Sequence, residues 1–223
     1  MIDSYFSWIV RCSPLLAKGA WMTLKVLCFS SALSFFWGTL LGALCSKKLR
    51  IPYFSAAAGI FSFTARGTPF FLLLLIVYFV LPDLLGINFE PFYAAVLALG
   101  VSSSGYVAQL IRGALDAIPT AQWEAAQILG YSRRQRLWHI ILPQAFRMLI
   151  PQFNNELDSL LKSTAIVSSI GLLELTRMGM NIVSREMDPA PVYLTLGAIY
   201  LFFSAAFNRI GKTIERRFPY VKN

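Results

Sequence analysis

The residues with the most chemical potential in this 223-residue chain fall inside a hydrophobic stretch, 148–173. Asn154, Asn155, Glu156, Asp158, Ser159, Lys162, Ser163 and Thr164 crowd into a few helical turns. At helical spacing Asn155, Glu156, Ser159, Lys162 and Ser163 share one broad face through i, i+3, i+4 and i+7 relations. Asp158 and Lys162 are i, i+4 and read as a structural ion pair. Glu156 has no such neighbour, because Gln152 precedes it and Leu160 follows. A carboxyl at membrane depth must be solvated by a cavity, paired across helices or protonated. Glu156 is therefore the candidate to meet a bound ammonium or guanidinium, with structural pairing to Arg66 as the competing reading.

Arg66-Gly67-Thr68-Pro69 is the second polar interruption. Proline removes a backbone donor and disfavours helix at the residue before it, so a helix should kink or unwind here. Freed carbonyls beside an arginine are tolerated at depth only where they line protein or water. A pocket shared with Glu156 would place Thr68 and Arg66 at a carboxylate, with Ser159 and Ser163 on the Glu156 side. A plain structural kink is the alternative.

Catalytic chemistry finds no constellation. Ile210-Gly211-Lys212-Thr213 looks like the end of a P-loop, but Ala206 stands where the first glycine is required. The single histidine, His139, has no metal partners, and Cys12, Cys28 and Cys45 lack ligand spacing. No G-x-S-x-G nucleophile motif occurs. We expect no catalytic residue, no metal and no cofactor.

The elements that must position these residues are membrane helices. The chain is 57% hydrophobic and only 14% charged, with mean hydropathy +0.60. Charge-free runs over 26–46, 91–111 and 189–208 each approach the ~20 residues a bilayer needs. The interrupted stretches 51–82 and 148–173 supply two more spans. Charge fixes the count at five. With one crossing in 51–82, Lys47, Lys48 and Arg50 fall on the same side as Arg112, Arg133, Arg134, Arg136 and Arg147. Arg209, Lys212, Arg216, Arg217 and Lys222 join them, leaving Arg11, Lys18, Arg177 and Arg185 opposite. The N-terminus is then outside and the tail 209–223 cytoplasmic. Residues 1–18 read as an external interfacial helix and not a cleavable signal. The net charge of +9 is accounted for by topology and contact with membrane lipid, and no basic face with aromatic platforms suggests nucleic acid. Gly38 and Gly42 form a GxxxG pair, which suits either simple tight packing or a subunit interface. Gly100, Ser102, Ser103, Ser104 and Gly105 suit either close packing or a wet cavity.

The segment 119–143 is soluble-looking. Glu124, Ala125 and Ala126 should be helical, Gly130 should turn the chain, and a second short helix should run toward Leu142 and Pro143. This helix–Gly–helix unit resembles the EAA loop of ABC importer permeases. Arg66–Pro69 resembles the RGTP of the polar amino-acid branch. Tyr106–Gly113, Ile118-Pro119, Leu160-Leu161-Lys162-Ser163-Thr164 and Glu215-Arg216-Arg217 continue the likeness. The resemblance implies an all-α polytopic membrane protein of the type I importer permease fold, in a bacterial inner membrane, with one domain over 1–223. It implies a translocation pathway for polar amino acids, with Glu124, Ala125, Ala126, Gly130, Leu142 and Pro143 coupling it to an ATPase. The partners so implied are two ATP-binding subunits, which bind the ATP, a second permease subunit, identical or not, and an external solute-binding protein. Ser163 replaces an aspartate common in relatives, which speaks against a simple basic amino-acid cargo. The competing class is an ion-coupled secondary transporter using Glu156 or Asp158; it lacks an inverted repeat.

Overall fold

The computed structural model describes residues 2–49 and 52–218, with side chains from Val10 onward. Helix is the dominant state, and no strand occurs among the described residues. The chain forms α1 (Ile2–Cys45), α2 (Pro52–Gly67), α3 (Phe70–Leu85), α4 (Pro91–Ala117), α5 (Thr120–Ile128), α6 (Arg133–Ile170), α7 (Leu175–Glu186) and α8 (Pro189–Arg217). The stretch from Val10 to Cys45, α4 and α8 are each long and apolar enough to cross a membrane. Counting the bent pairs α2–α3 and α6–α7 as one span each brings the number to five. Arg50 and Lys222, used to orient the loops, lie outside the described residues.

The first span differs from expectation. No separate helix occupies the N-terminal segment, because α1 runs unbroken from Ile2 through Pro14 to Cys45. Proline 14 removes the amide that would bond the Val10 carbonyl, and the Ser13 hydroxyl donates to that carbonyl at 2.9 Å. The helix therefore survives its proline. At the other predicted break it does not. Thr68 N–H and Thr68 Oγ1 both donate to the Thr64 carbonyl, at 3.0 and 2.9 Å. Pro69 then offers no donor, and a new helix starts at Phe70.

Two compact units divide the chain. One comprises Met1–Ala32, Pro69–Gly100 and Leu157–Ala206. Its core is Cys12, Leu16, Leu175, Ile182, Val192 and Leu196. Beside that core sits Glu174, fully buried. Its carboxylate caps α7 by accepting from the backbone amides of Thr176 at 2.9 Å and Arg177 at 2.7 Å. The Tyr200 hydroxyl adds a third bond at 3.0 Å. An acid at a helix N-terminus meets both the orphan amides and the positive end of the helix dipole, so this site suits a carboxylate.

The other unit comprises Leu33–Thr68, Val101–Glu156 and Phe207–Asn223. Its core runs along α4 through Val107, Ile111, Ala114, Leu115 and Ile118 to Trp123 of α5 and Ile141, Ala145 and Leu149 of α6. Gly38 and Gly42 of α1 lie flat against α4. A Cβ at Gly38 would come within 2.5 Å of the Val107 Cβ, and one at Gly42 within 2.5 Å of the Ala108 carbonyl oxygen. The GxxxG pair is thus close packing within the chain.

Candidate functional site

The unit built on the C-terminal part of α4 holds Glu156, Arg66 and Thr68 as well as the loop 119–143. Glu156 is half-buried on α6, and its Oε1 accepts from the Ser103 hydroxyl at 2.6 Å. Ser103 in turn accepts from Ser34 Oγ at 2.7 Å. Both serines are buried, so a chain of hydroxyls runs from α1 through α4 to the carboxylate. No ion pair among the described residues joins Arg66 to Glu156. Oε2 of Glu156 carries no partner among the described residues.

Arg66 and Thr68 each make a side-chain bond within their own helix. Arg66 Nε donates to the Ser62 carbonyl at 3.2 Å, and Thr68 Oγ1 bonds Thr64 as described. Ser62 Oγ reaches the Gly105 carbonyl at 3.0 Å, and Gly105 lies against Arg66 and Ala65. Gly105 and Ser103 are two positions apart on α4, about 200° around the helix. Arg66 and Glu156 therefore approach α4 from different faces, and this unit does not join them in the single pocket expected from the sequence. Ser159 and Ser163 belong to the other unit. Ser163 Oγ bonds the Ser159 carbonyl at 3.0 Å. There the expected Asp158–Lys162 ion pair is present at 2.6 Å, and the Ser204 hydroxyl also donates to Asp158.

The loop is a knob tied down by packing and hydrogen bonds. α5 ends at Ile128, Gly130 turns the chain with φ +82°, and Ser132 opens the next helix through a reciprocal capping box with Gln135. A glycine is needed at that φ because the left-handed region penalises any Cβ. Trp123 and Ala126 face the core and anchor α5, whereas Glu124 and Ala125 point outward. Ile128 and Leu129 are 86% and 75% exposed, unusual for large apolar side chains held on a loop so anchored. Arg136 ties the two short helices together, donating to Gln127 Oε1 at 2.8 Å. Lys48 closes the base of the knob by donating to the Ile118 carbonyl, with its ammonium 5.8 Å from the Trp123 ring. After a wide π turn over Arg136–Ile141, Leu142 and the exposed Pro143 lead into the long helix.

Sequence reasoning singled out Glu124, Ala125 and Ala126 together, but the structure divides them, two outward and one inward. It missed Trp123, Arg136 and Lys48. Trp123 was within reach, since Trp123 and Ala126 are i, i+3 and mark the buried stripe of a short amphipathic helix. Gly211-Lys212-Thr213 lies within continuous helix, with Gly211 buried against Asn154. That geometry has no loop of amides to cradle a phosphate.

The sequence profile described as "Binding-protein-dependent transport system inner membrane component" matches residues 38–219. The chain is 35% identical to the arginine transport system permease protein of Bacillus subtilis, over 95% of this chain and 96% of that one. It is 31% identical to the glutamine transport system permease protein of Escherichia coli, covering 95% and 97%. Among solved structures, an amino acid ABC transporter crystallised with histidines superposes with a TM-score of 0.87 at 32% identity, covering 95% and 98%. A methionine ABC transporter in an inward-facing conformation shares the fold, with a TM-score of 0.79 at 22% identity over 92% and 96%.

Proposed function

Since this chain belongs to the family of binding-protein-dependent transport system inner membrane components, and is thus an ABC importer permease, we propose that it forms the membrane pathway for polar amino acids. Partners of this family include an ATPase and a substrate-binding protein. In our reading they are two ATP-binding subunits, a second permease subunit and an external solute-binding protein. ATP is bound and hydrolysed by the partner, and this subunit catalyses no reaction. The N-terminus is outside and the C-terminus cytoplasmic. Relatives named for arginine, L-cystine and glutamine support the cargo class.

One observation carries the coupling role. α5 is pinned on one face by Trp123 and Ala126 and presents Glu124, Ala125, Ile128 and Leu129 on the other. A knob held by core packing, Arg136 and Lys48 transmits displacement to α4 and α6 without absorbing it, because packed interiors are not continuously deformable. Gly130, Leu142 and Pro143 set the angle between knob and span. On the pathway, Glu156 meets the cargo ammonium with Oε2 while Ser103 holds Oε1. Arg66 and Thr68 offer a separate polar contact from another face of α4, and Ser159 and Ser163 offer hydroxyls within their own unit. The ion-coupled alternative loses ground on Asp158, which is engaged by Lys162 and Ser204.

Proteoliposomes holding this chain, its ATPase and its binding protein should accumulate labelled amino acid only with ATP on the ATPase side. Uptake driven by a proton or sodium gradient without the ATPase would overturn the assignment.

A further inference from the structure

Five basic residues at the end of α8 and on the facing stretch of α6 take no part in the arrangement described above. A cavity of about 690 Å³ opens beside three of them. Arg147, Lys212 and Arg216 line it, together with Met148, Pro151 and Phe218, and Glu215 is its acid. A second hollow of about 260 Å³ carries Arg209 and Arg217 around Ile210 and Ile214. No ion pair among the described residues engages any of these five cations. The two isoleucines are 58% and 42% exposed, and Phe218 is 43% exposed.

Isolated surface lysines and arginines are usually just solvated. Here the cations converge on cavities whose other walls are mainly apolar, apart from Gln152, Glu215 and Thr213, at the end of a membrane-length helix. Guanidinium groups bind phosphate oxygens bidentately, and apolar walls accept the glycerol and upper acyl region that follow a headgroup phosphate. A soluble anion would have no use for Met148, Ile210 or Ile214. We propose that this end of α8 binds the phosphate of an anionic phospholipid, held chiefly by Arg147, Lys212 and Arg216. Neither Glu156 nor any residue of the 119–143 loop lines the site, and it stands whichever amino acid is carried.

The test uses the full chain purified with its ATPase subunits in neutral detergent and stripped of lipid. Fluorescent phosphatidylglycerol is titrated by anisotropy, with phosphatidylcholine as reference. Phosphatidylglycerol should bind at least tenfold more tightly. Lys212→Gln with Arg216→Gln should weaken it about thirty-fold, as expected for two basic groups near a headgroup. The charge-keeping pair Lys212→Arg and Arg216→Lys should retain most of the affinity, separating loss of charge from loss of fold. Lys18→Gln with Arg185→Gln removes equal charge from exposed positions elsewhere and should change affinity less than threefold. Equal losses from both glutamine pairs would reduce the effect to diffuse electrostatics and overturn the site. Full displacement by millimolar inorganic phosphate would make it a soluble-anion site instead. Unchanged lipid affinity, with loss of the ATPase subunits from the Lys212→Gln, Arg216→Gln complex, would make it a protein-docking surface and equally sink the proposal.

Discussion

Gly38→Ala should destabilise this protein although alanine is the better helix former. The added Cβ would lie 2.5 Å from the Val107 Cβ and 2.9 Å from the Ser104 carbonyl oxygen. Ordinary carbon contacts need about 3.5 Å, so α1 and α4 must part by about 1 Å or distort. One turn away on the same seam, Ser34 bonds Ser103 at 2.7 Å. The same separation would stretch that bond to about 3.7 Å, beyond hydrogen-bonding range, and would remove support from Glu156. Overpacking of this kind costs about 1–3 kcal/mol, against roughly 0.5–1 kcal/mol gained in helix propensity. The net loss of about 1 kcal/mol, and at most about 2.5 kcal/mol, corresponds to a fall in Tm of about 2–4 °C, at most about 10 °C, for a chain of this size. Gly59→Ala is the matched control. It makes the same change in α2, where a new Cβ meets nothing within 4 Å, so Tm should hold or rise slightly. Thermal unfolding of the purified subunit in one detergent, followed by tryptophan fluorescence, compares the two directly. If Gly38→Ala melts with Gly59→Ala, the seam is looser than its geometry implies and the packing argument fails.

Glu156→Gln keeps shape and the Ser103 bond but removes charge, so ATP-driven uptake should drop at least tenfold while the complex still assembles; normal uptake would make Glu156 structural. Gly130→Val forces a β-branched residue into a left-handed turn at a cost of about 2 kcal/mol, and Glu124→Lys reverses charge on the outward face. Both should lower recovery of the ATPase in pull-downs by several-fold with membrane insertion intact, and full recovery would move the docking site elsewhere. In a background freed of Cys12, Cys28 and Cys45, Ile87→Cys should react with an impermeant maleimide in intact cells. Ser132→Cys should react only after permeabilisation, and early labelling there would invert the proposed orientation.

What the sequence determined alone is what near neighbours decide. The helix break at Thr68–Pro69 follows from a missing amide, the Asp158–Lys162 pair from i, i+4 spacing, and the φ of +82° at Gly130 from a turn between two short helices. The knob between α4 and α6 was legible for the same reason, since its turn and capping signals lie within a few residues of one another. Tertiary structure decided the partners. Glu156 could have met Arg66, water or a hydroxyl, and only the placement of α4 gave it Ser103, 53 positions away. Gly38 and Gly42 announce close approach but not to what, and the answer, α4 of the same chain, depends on packing. Glu174 reads as an ordinary acid near a turn, yet folding buries it completely as the cap of α7, because Thr23 and Tyr200 close around it. The 200° between Ser103 and Gly105 likewise sends two polar groups to opposite faces of one helix. Spacing along a chain fixes which residues share a face, and only the packed neighbours fix what that face meets.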